Sequence, residues 1–418
     1  MTSFWRIFSL ELTALVRSKT LALLTGASVV WMLGFPHFVR GDGTADGLHE
    51  LVVHYSLGGV FALLVVSLLA SATGSIARER AARRLQTTMV RPVRYVSIAL
   101  GKMLALVAAG AFVLAVACLI LACEADLSRP CSHVLSPLLP SPREEARAMY
   151  DAYMKDPDTP VAVKRASKSL IMRILTQRAA DHYVTIQTNA TVAWNFNPGQ
   201  LPKAPVPLAV RMRFTNQMDL RQDVLGVFRT GAAEGVVSNI TQAVLTIPLS
   251  GQLAESRLTF ENRGKSALML RPRKDINLLV AADAFGFNLL RAYVEMVAIL
   301  ALMIAFGVLL SAALGRPVAL FVAFVTLIVG EMSPSVIDQY PDELETKVVD
   351  RIGLCITRFA ADVTSPVSSL APLDALSKDE CVEPRDVLRL VLVDLVALPL
   401  ALSFLAACAL PRKQDDMV

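Results

Sequence analysis

Six stretches of the chain are long runs of apolar side chains with few charges: Thr20 to Val39, Leu51 to Ala77, Val96 to Cys123, Asn288 to Leu314, Pro317 to Gly330 with a few residues beyond, and Val387 to Leu410. A helix needs about 20 apolar residues to cross a hydrocarbon layer about 30 Å thick, since each residue adds about 1.5 Å. The runs therefore predict six membrane-spanning helices, of which the fifth is the shortest. The first follows Arg6, Arg17 and Lys19, as in a signal peptide, but it has no small-x-small cleavage site and is long enough to span. It reads as a retained signal anchor.

The pattern changes after the third run. From Glu124 to Phe285 the chain is polar and holds 35 of its 77 charged side chains, which predicts a domain folded in water. A Pro-rich entry (Pro130, Pro137, Pro140, Pro142) leads to Ser141-Pro142-Arg143-Glu144, a capping box with Pro at the first helical position. A helix is expected from there to about Lys155. A second is expected from after Thr159-Pro160 to about Asp181, with Leu170, Ile171, Ile174 and Leu175 on one face. The period then falls to two: Val206, Leu208, Val210, Met212 and Phe214 alternate with Pro207, Ala209, Arg211 and Arg213, as in a half-buried strand. Further strands are expected at Val244 to Leu249, Ser256 to Phe260 and Ala267 to Leu270, with turns at Gly251 and at Asn262 to Gly264. The expectation is a small β-sandwich flanked by helices; the alternative is a helical domain with extended loops. The later polar stretch 334 to 385 is too long for a turn and predicts an amphipathic helix near Val348 to Phe359, lying at the membrane surface.

Composition agrees with this pattern: 54% of residues are hydrophobic and 18% charged, and mean hydropathy is +0.51. A soluble protein carries nearer a quarter of its residues charged, and disorder, collagen or a disulfide-dense scaffold would need a different composition. The net charge of +5 is small, but its placement is informative. Residues 76 to 102 hold Arg78, Arg80, Arg83, Arg84, Arg91, Arg94 and Lys102 against Glu79 alone. The N-terminal stretch, Arg316, and Arg412 with Lys413 are also basic, whereas 40 to 50 and 334 to 385 are net negative. Basic loops stay on the cytoplasmic side, so both termini are expected inside and both polar stretches outside. The predicted fold class is a polytopic α-helical membrane protein with six transmembrane helices and an α+β, β-sandwich-like extracytoplasmic domain. Its parts are 1–123, the outer domain 124–285, spans four and five in 286–333, a second outer loop 334–385, and span six with a tail in 386–418.

Chemistry is sparse. Cys118 and Cys408 fall in spans, while Cys123, Cys131, Cys355 and Cys381 fall on the expected outer side, where Cys355 with Cys381 and Cys123 with Cys131 are the simplest disulfides. The five histidines form no cluster and no metal spacing is present, so no metal is expected. Gly264-Lys265-Ser266 is not a phosphate loop, because Thr259 stands where the loop needs another glycine. No nucleophile with its base is recognisable, and no nucleic-acid partner is expected. Charges inside spans are costly and often mark a pathway. Arg291 and Glu295, one turn apart in span four, Glu331 at the end of span five and Asp394 in span six form a candidate translocation lining, with structural pairing at the interface as the competing explanation.

The most specific stretch runs from Gly74 through Glu79-Arg80, Arg83, Arg84 and Arg91-Pro92-Val93 to Gly101-Lys102. It reads as a short helix stopped by Pro92, followed by re-entry into the membrane at a lysine. This order and spacing resemble the loop between spans two and three of type-2 ABC exporter permeases. The six spans, the amphipathic N-terminal segment (Phe4, Trp5, Ile7, Phe8 and Leu10) and the turn Gly315-Arg316-Pro317-Val318-Ala319 extend the resemblance over roughly 1–123 and 286–410. The resemblance implies a half-transporter in the inner membrane of a bacterium, in which two permeases, identical or homologous, pair with two ATPase subunits. It also implies that Glu79, Arg80, Arg83, Arg84, Arg91, Pro92 and Val93 form a coupling helix seated on the ATPase, with ATP and Mg held by that subunit and no cofactor in this chain. The large outer domain is a departure. Lipopolysaccharide-transport permeases, the runner-up resemblance, share the six-span topology and carry a β-rich domain there but lack the Arg-Pro-Val and Gly-Lys pattern. The alternative of another class is a non-transporting anchor or sensor whose outer domain binds a ligand or an extracytoplasmic protein; a membrane-embedded hydrolase ranks third.

Overall fold

A computed structural model of the chain describes residues 2–39, 45–83, 94–157, 168–197, 208–215, 223–230, 233–241, 244–249, 257–337, 371–382 and 384–415. The chain separates into a helical unit, within Met1–Arg129, Ala284–Asp338 and Thr346–Val418, and a second unit that is chiefly Pro130–Asp283.

The helical unit begins with α1 (Thr2–Arg17) and α2 (Thr20–Phe38), which are separated at Lys19 by a left-handed backbone, φ 58°. Then follow α3 (Ala45–Ala81) and α4 (Tyr95–Glu124). Phe285–Ala313 and Arg316–Ile337, here α7 and α8, come after the second unit. The short α9 (Ala371–Ser377) precedes a last helix built from α10 (Pro384–Leu390), a π-helical stretch at Val391–Ala397 and α11 (Leu398–Asp415). Among the described residues five helices are long and apolar enough to cross a membrane: Thr20–Phe38, Gly47–Ala81, Tyr95–Glu124, Phe285–Ala313 and Val387–Ala409. The protein is thus of the polytopic membrane type. The fifth expected run falls on α8, whose apolar stretch Arg316–Val329 is shorter than these five.

α7 is the axis of the bundle, with 83% of its apolar stretch buried against 11% for α2. Its Met296, Ile299 and Met303 pack with Phe61, Leu64 and Leu68 of α3 and with Leu106 and Val113 of α4. Small residues set the spacing. A Cβ on Gly307 would stand 2.8 Å from Ala72 Cβ, so α3 and α7 approach as closely as only glycine and alanine allow.

In the second unit α5 (Pro142–Lys155) starts at Ser141 with the expected capping box formed on both sides, and α6 spans Lys168–Ala180. Ala146, Ile171 and Leu175 form the small core between these two helices. Ten strands follow the chain: β1 (Pro130–Leu135), β2 (Val184–Ile186), β3 (Thr191–Asn195), β4 (Leu208–Arg213), β5 (Asp223–Thr230), β6 (Ala233–Ile240), β7 (Val244–Leu249), β8 (Arg257–Asn262), β9 (Leu268–Leu270) and β10 (Ile276–Ala284). They form two four-stranded sheets, β1-β10-β4-β7 and β3-β8-β5-β6, and a two-stranded sheet, β2-β9. Val210 and Met212 from the first four-stranded sheet and Phe228 and Phe260 from the second belong to one apolar core. β4 buries Leu208, Val210 and Met212 and leaves the intervening residues less covered, the period-two pattern that predicted it. The expected turn at Asn262–Gly264 is closed by Asn262, whose Oδ1 accepts the Gly264 N–H at 2.9 Å while its Nδ2 donates to the Ser266 carbonyl at 2.9 Å. The expected helix at Val348–Phe359 and turn at Gly251 lie outside the described residues.

Candidate functional site at the helix ends

The stretch singled out by sequence brings its charged residues together in three dimensions, at the end of the bundle where α3 finishes and α4 begins. Lys102, two turns into α4, is 3% exposed. Its Nζ donates to Glu79 Oε1 of α3 at 2.8 Å and to Glu11 Oε2 of α1 at 2.9 Å. An ammonium withdrawn from water among apolar side chains is strongly unfavourable unless paired. Two carboxylates supply that pairing, and their own partial exposure, 18% for Glu11 and 31% for Glu79, lowers the cost of desolvating them. The glycine beside the lysine has a distinct task. A Cβ on Gly101 would lie 2.8 Å from Ile7 Cγ2 and 3.4 Å from the Phe8 backbone nitrogen, so the missing side chain lets α1 cross α4 here. The Gly-Lys pair thus admits α1 and then holds it by charge.

Arg80 faces another helix. Its guanidinium donates to the Ala312 carbonyl and reaches the Ser311 carbonyl at 3.5 Å. These belong to the last turn of α7, where carbonyls lack intrahelical partners and the helix dipole favours a cation. In return the Ser311 hydroxyl accepts the backbone N–H groups of Ile76 and Ala77 on α3, each at 3.0 Å. The end of α3 is therefore locked to α7 by Arg80 and Ser311, and to α4 and α1 by Glu79. Arg78 and Arg83 are exposed, and Arg83 carries a left-handed φ of 56° just beyond α3. Arg84, Arg91, Pro92 and Val93 lie outside the described residues.

The candidate lining residues are spread over three helices. Arg291 and Glu295 lie on α7, where Glu295 is 4% exposed and Arg291 reaches the Val382 carbonyl at 3.5 Å. Glu331 lies on α8. Asp394 is buried in the π-helical stretch, a rare local geometry that often marks a working part of a helix, and it makes no hydrogen bond or salt bridge with a described residue.

At the opposite ends of α3 and α7 a short strap, 371–382, crosses the bundle with Leu373 and Leu376 fully buried. Asn288 of α7 donates to the Glu380 carbonyl at 2.7 Å and accepts the Val382 N–H at 2.8 Å. Asp379 pairs with Arg129 at 2.8 Å and stands 3.6 Å from His49 of α3, while Asp374 stands 3.2 Å from His54.

The expected Cys123–Cys131 disulfide is not formed, since Cys123 is an exposed free thiol near the end of α4. Cys131 is fully buried on β1. Cys355, the expected partner of Cys381, lies outside the described residues. No group of three or more His, Cys, Asp or Glu suited to a metal occurs among the described residues.

Sequence reasoning missed Glu11, Ser311, Asn288 and the strap. Glu11 had a signal: it is an acid on the face of α1 shared by Ile7, Phe8 and Leu15, which packs against the bundle. Ser311 had none, being one hydroxyl in an apolar run. No protein-family model, curated protein or solved structure matches the chain.

Proposed function

We propose that the chain is the membrane-spanning permease subunit of an ATP-binding cassette exporter, working with a separate ATPase subunit and a second permease copy or homologue. In this reading α8 completes a set of six spans, and both termini and the 76–102 segment face the cytoplasm of a bacterial cell. The observation that supports it most is the double anchorage of the end of α3, through Glu79 to Lys102 and Glu11 and through Arg80 to the end of α7. A displacement applied to the segment after α3 is passed by those contacts to α1, α4 and the central α7 together, because each is held by short charged hydrogen bonds rather than by sliding apolar contact. ATP binding by the partner would supply the displacement, and the helices would rearrange to open a path on the other side.

Glu79 and Arg80 are committed to contacts inside the bundle. Among the described residues of the 76–102 stretch, the arginines that remain exposed for a partner are Arg78, Arg83 and Arg94. Co-expression of the chain with its neighbouring genes, followed by purification in mild detergent, is expected to recover an ATPase. The double variant Arg78→Glu/Arg83→Glu is expected to lose it while leaving the chain folded. Absence of any ATPase from the wild-type preparation would refute the reading and favour the anchor or sensor alternative, in which the β-rich unit does the binding.

A further inference from the structure

We propose that α1 binds the anionic phospholipid surface of a membrane leaflet, independently of whether the chain transports anything. Ile7, Phe8, Glu11 and Leu15 turn toward the bundle. Away from that inward face, on the two flanks of the helix, Trp5 is 51%, Leu10 68% and Val16 56% exposed. The cations at this end, Arg6, Arg17 and Lys19, are exposed as well. The single acid of the helix, Glu11, is drawn inward onto Lys102 at 2.9 Å. The part of α1 that does not face the bundle is therefore apolar and positive and carries no carboxylate of its own. Water leaves its apolar groups uncovered, and a neutral leaflet leaves its cations unmatched. An anionic leaflet satisfies both, with the indole in the headgroup region where amphipathic rings settle and the guanidiniums on phosphates. The burial of Lys102 belongs to the same design, since it removes from α1 the one charge that would repel such a surface.

The test uses the full chain in lipid nanodiscs containing brominated phosphatidylglycerol or, at the same mole fraction, brominated phosphatidylcholine. Subtracting the signal of a Trp5→Phe variant isolates quenching of Trp5. The expected result is quenching several-fold stronger by the anionic lipid, with the preference lost at high salt and in Arg6→Gln/Arg17→Gln. Both arginines are exposed and outside the packed core, and the salt titration on the wild-type chain needs no variant. Equal quenching by the two lipids overturns the proposal. So does absence of quenching by either, the outcome if a protein partner rather than lipid covers this face.

Discussion

Lys102 is the residue on which the helix ends depend. Replacing it with methionine keeps the apolar stem but leaves Glu11 and Glu79 facing each other with no cation between them. Removing one partner of a buried ion pair costs about 3–5 kcal/mol. The partial exposure of both carboxylates places Lys102→Met near the lower end, about 3 kcal/mol, readable as a lowered unfolding midpoint of the purified protein. In the β-rich unit a hydrogen bond from Lys274 at 2.8 Å holds the Asp181 carboxyl below the usual carboxylate range. A depressed carboxylate stabilises the fold above its unfolded pKa, and the gain disappears as pH falls through the lower, folded value. Stability from this pair is therefore expected to be constant near neutrality and lost in the acid range below about pH 4, with Lys274→Gln abolishing that part of the acid sensitivity. Both side chains are half exposed, so the effect belongs in the range of about 0–1 kcal/mol. A thermal-melt series across pH for the two proteins reads the difference.

At the level of elements, the long apolar runs announced the helices because hydrocarbon thickness dictates their length, and Ser141 announced α5 because its capping box is written in four consecutive residues. β4 and β7 were legible as alternating strands. β5 and β10 were not: β5 interrupts its pattern at Gly226, which faces the ring of Phe260, and β10 is a nearly continuous apolar stretch running straight into α7. β1 was hidden in a Pro-rich segment that reads as a linker. Helix packing depends on glycines whose role no sequence pattern announces. Gly307→Val is expected to force α3 and α7 apart, because the obstructing atoms are Ala72 Cβ at 2.8 Å and Leu69 Cδ1 at 3.1 Å. The cost is about 1–3 kcal/mol, typical of an overpacked core. Gly315→Ala, whose Cβ would meet nothing within 4 Å, is the control and is expected to be near neutral in the same unfolding assay.

On the scale of the whole molecule, sequence showed that Glu79-Arg80 and Gly101-Lys102 belong to one stretch, but only the fold shows that Lys102 bonds Glu79 across 23 positions and that Arg80 reaches an α7 carbonyl 232 positions away. Those contacts convert a basic loop into a junction of four helices. At the other ends of α3 and α7 the strap 371–382 is tied to α7 by the two Asn288 hydrogen bonds and packs beside His49 and His54 of α3. In the proposed reading, motion at one end of this bundle reaches α7, the most buried of the long apolar helices. The most direct measurement is site-specific photo-cross-linking from position 83 in the chain co-expressed with its neighbouring genes. The predicted result is a covalent adduct with a nucleotide-binding subunit whose yield changes on adding ATP. Cross-links only to lipid, or a protein adduct indifferent to ATP, would contradict the proposal that this junction couples ATP hydrolysis to movement of the membrane helices.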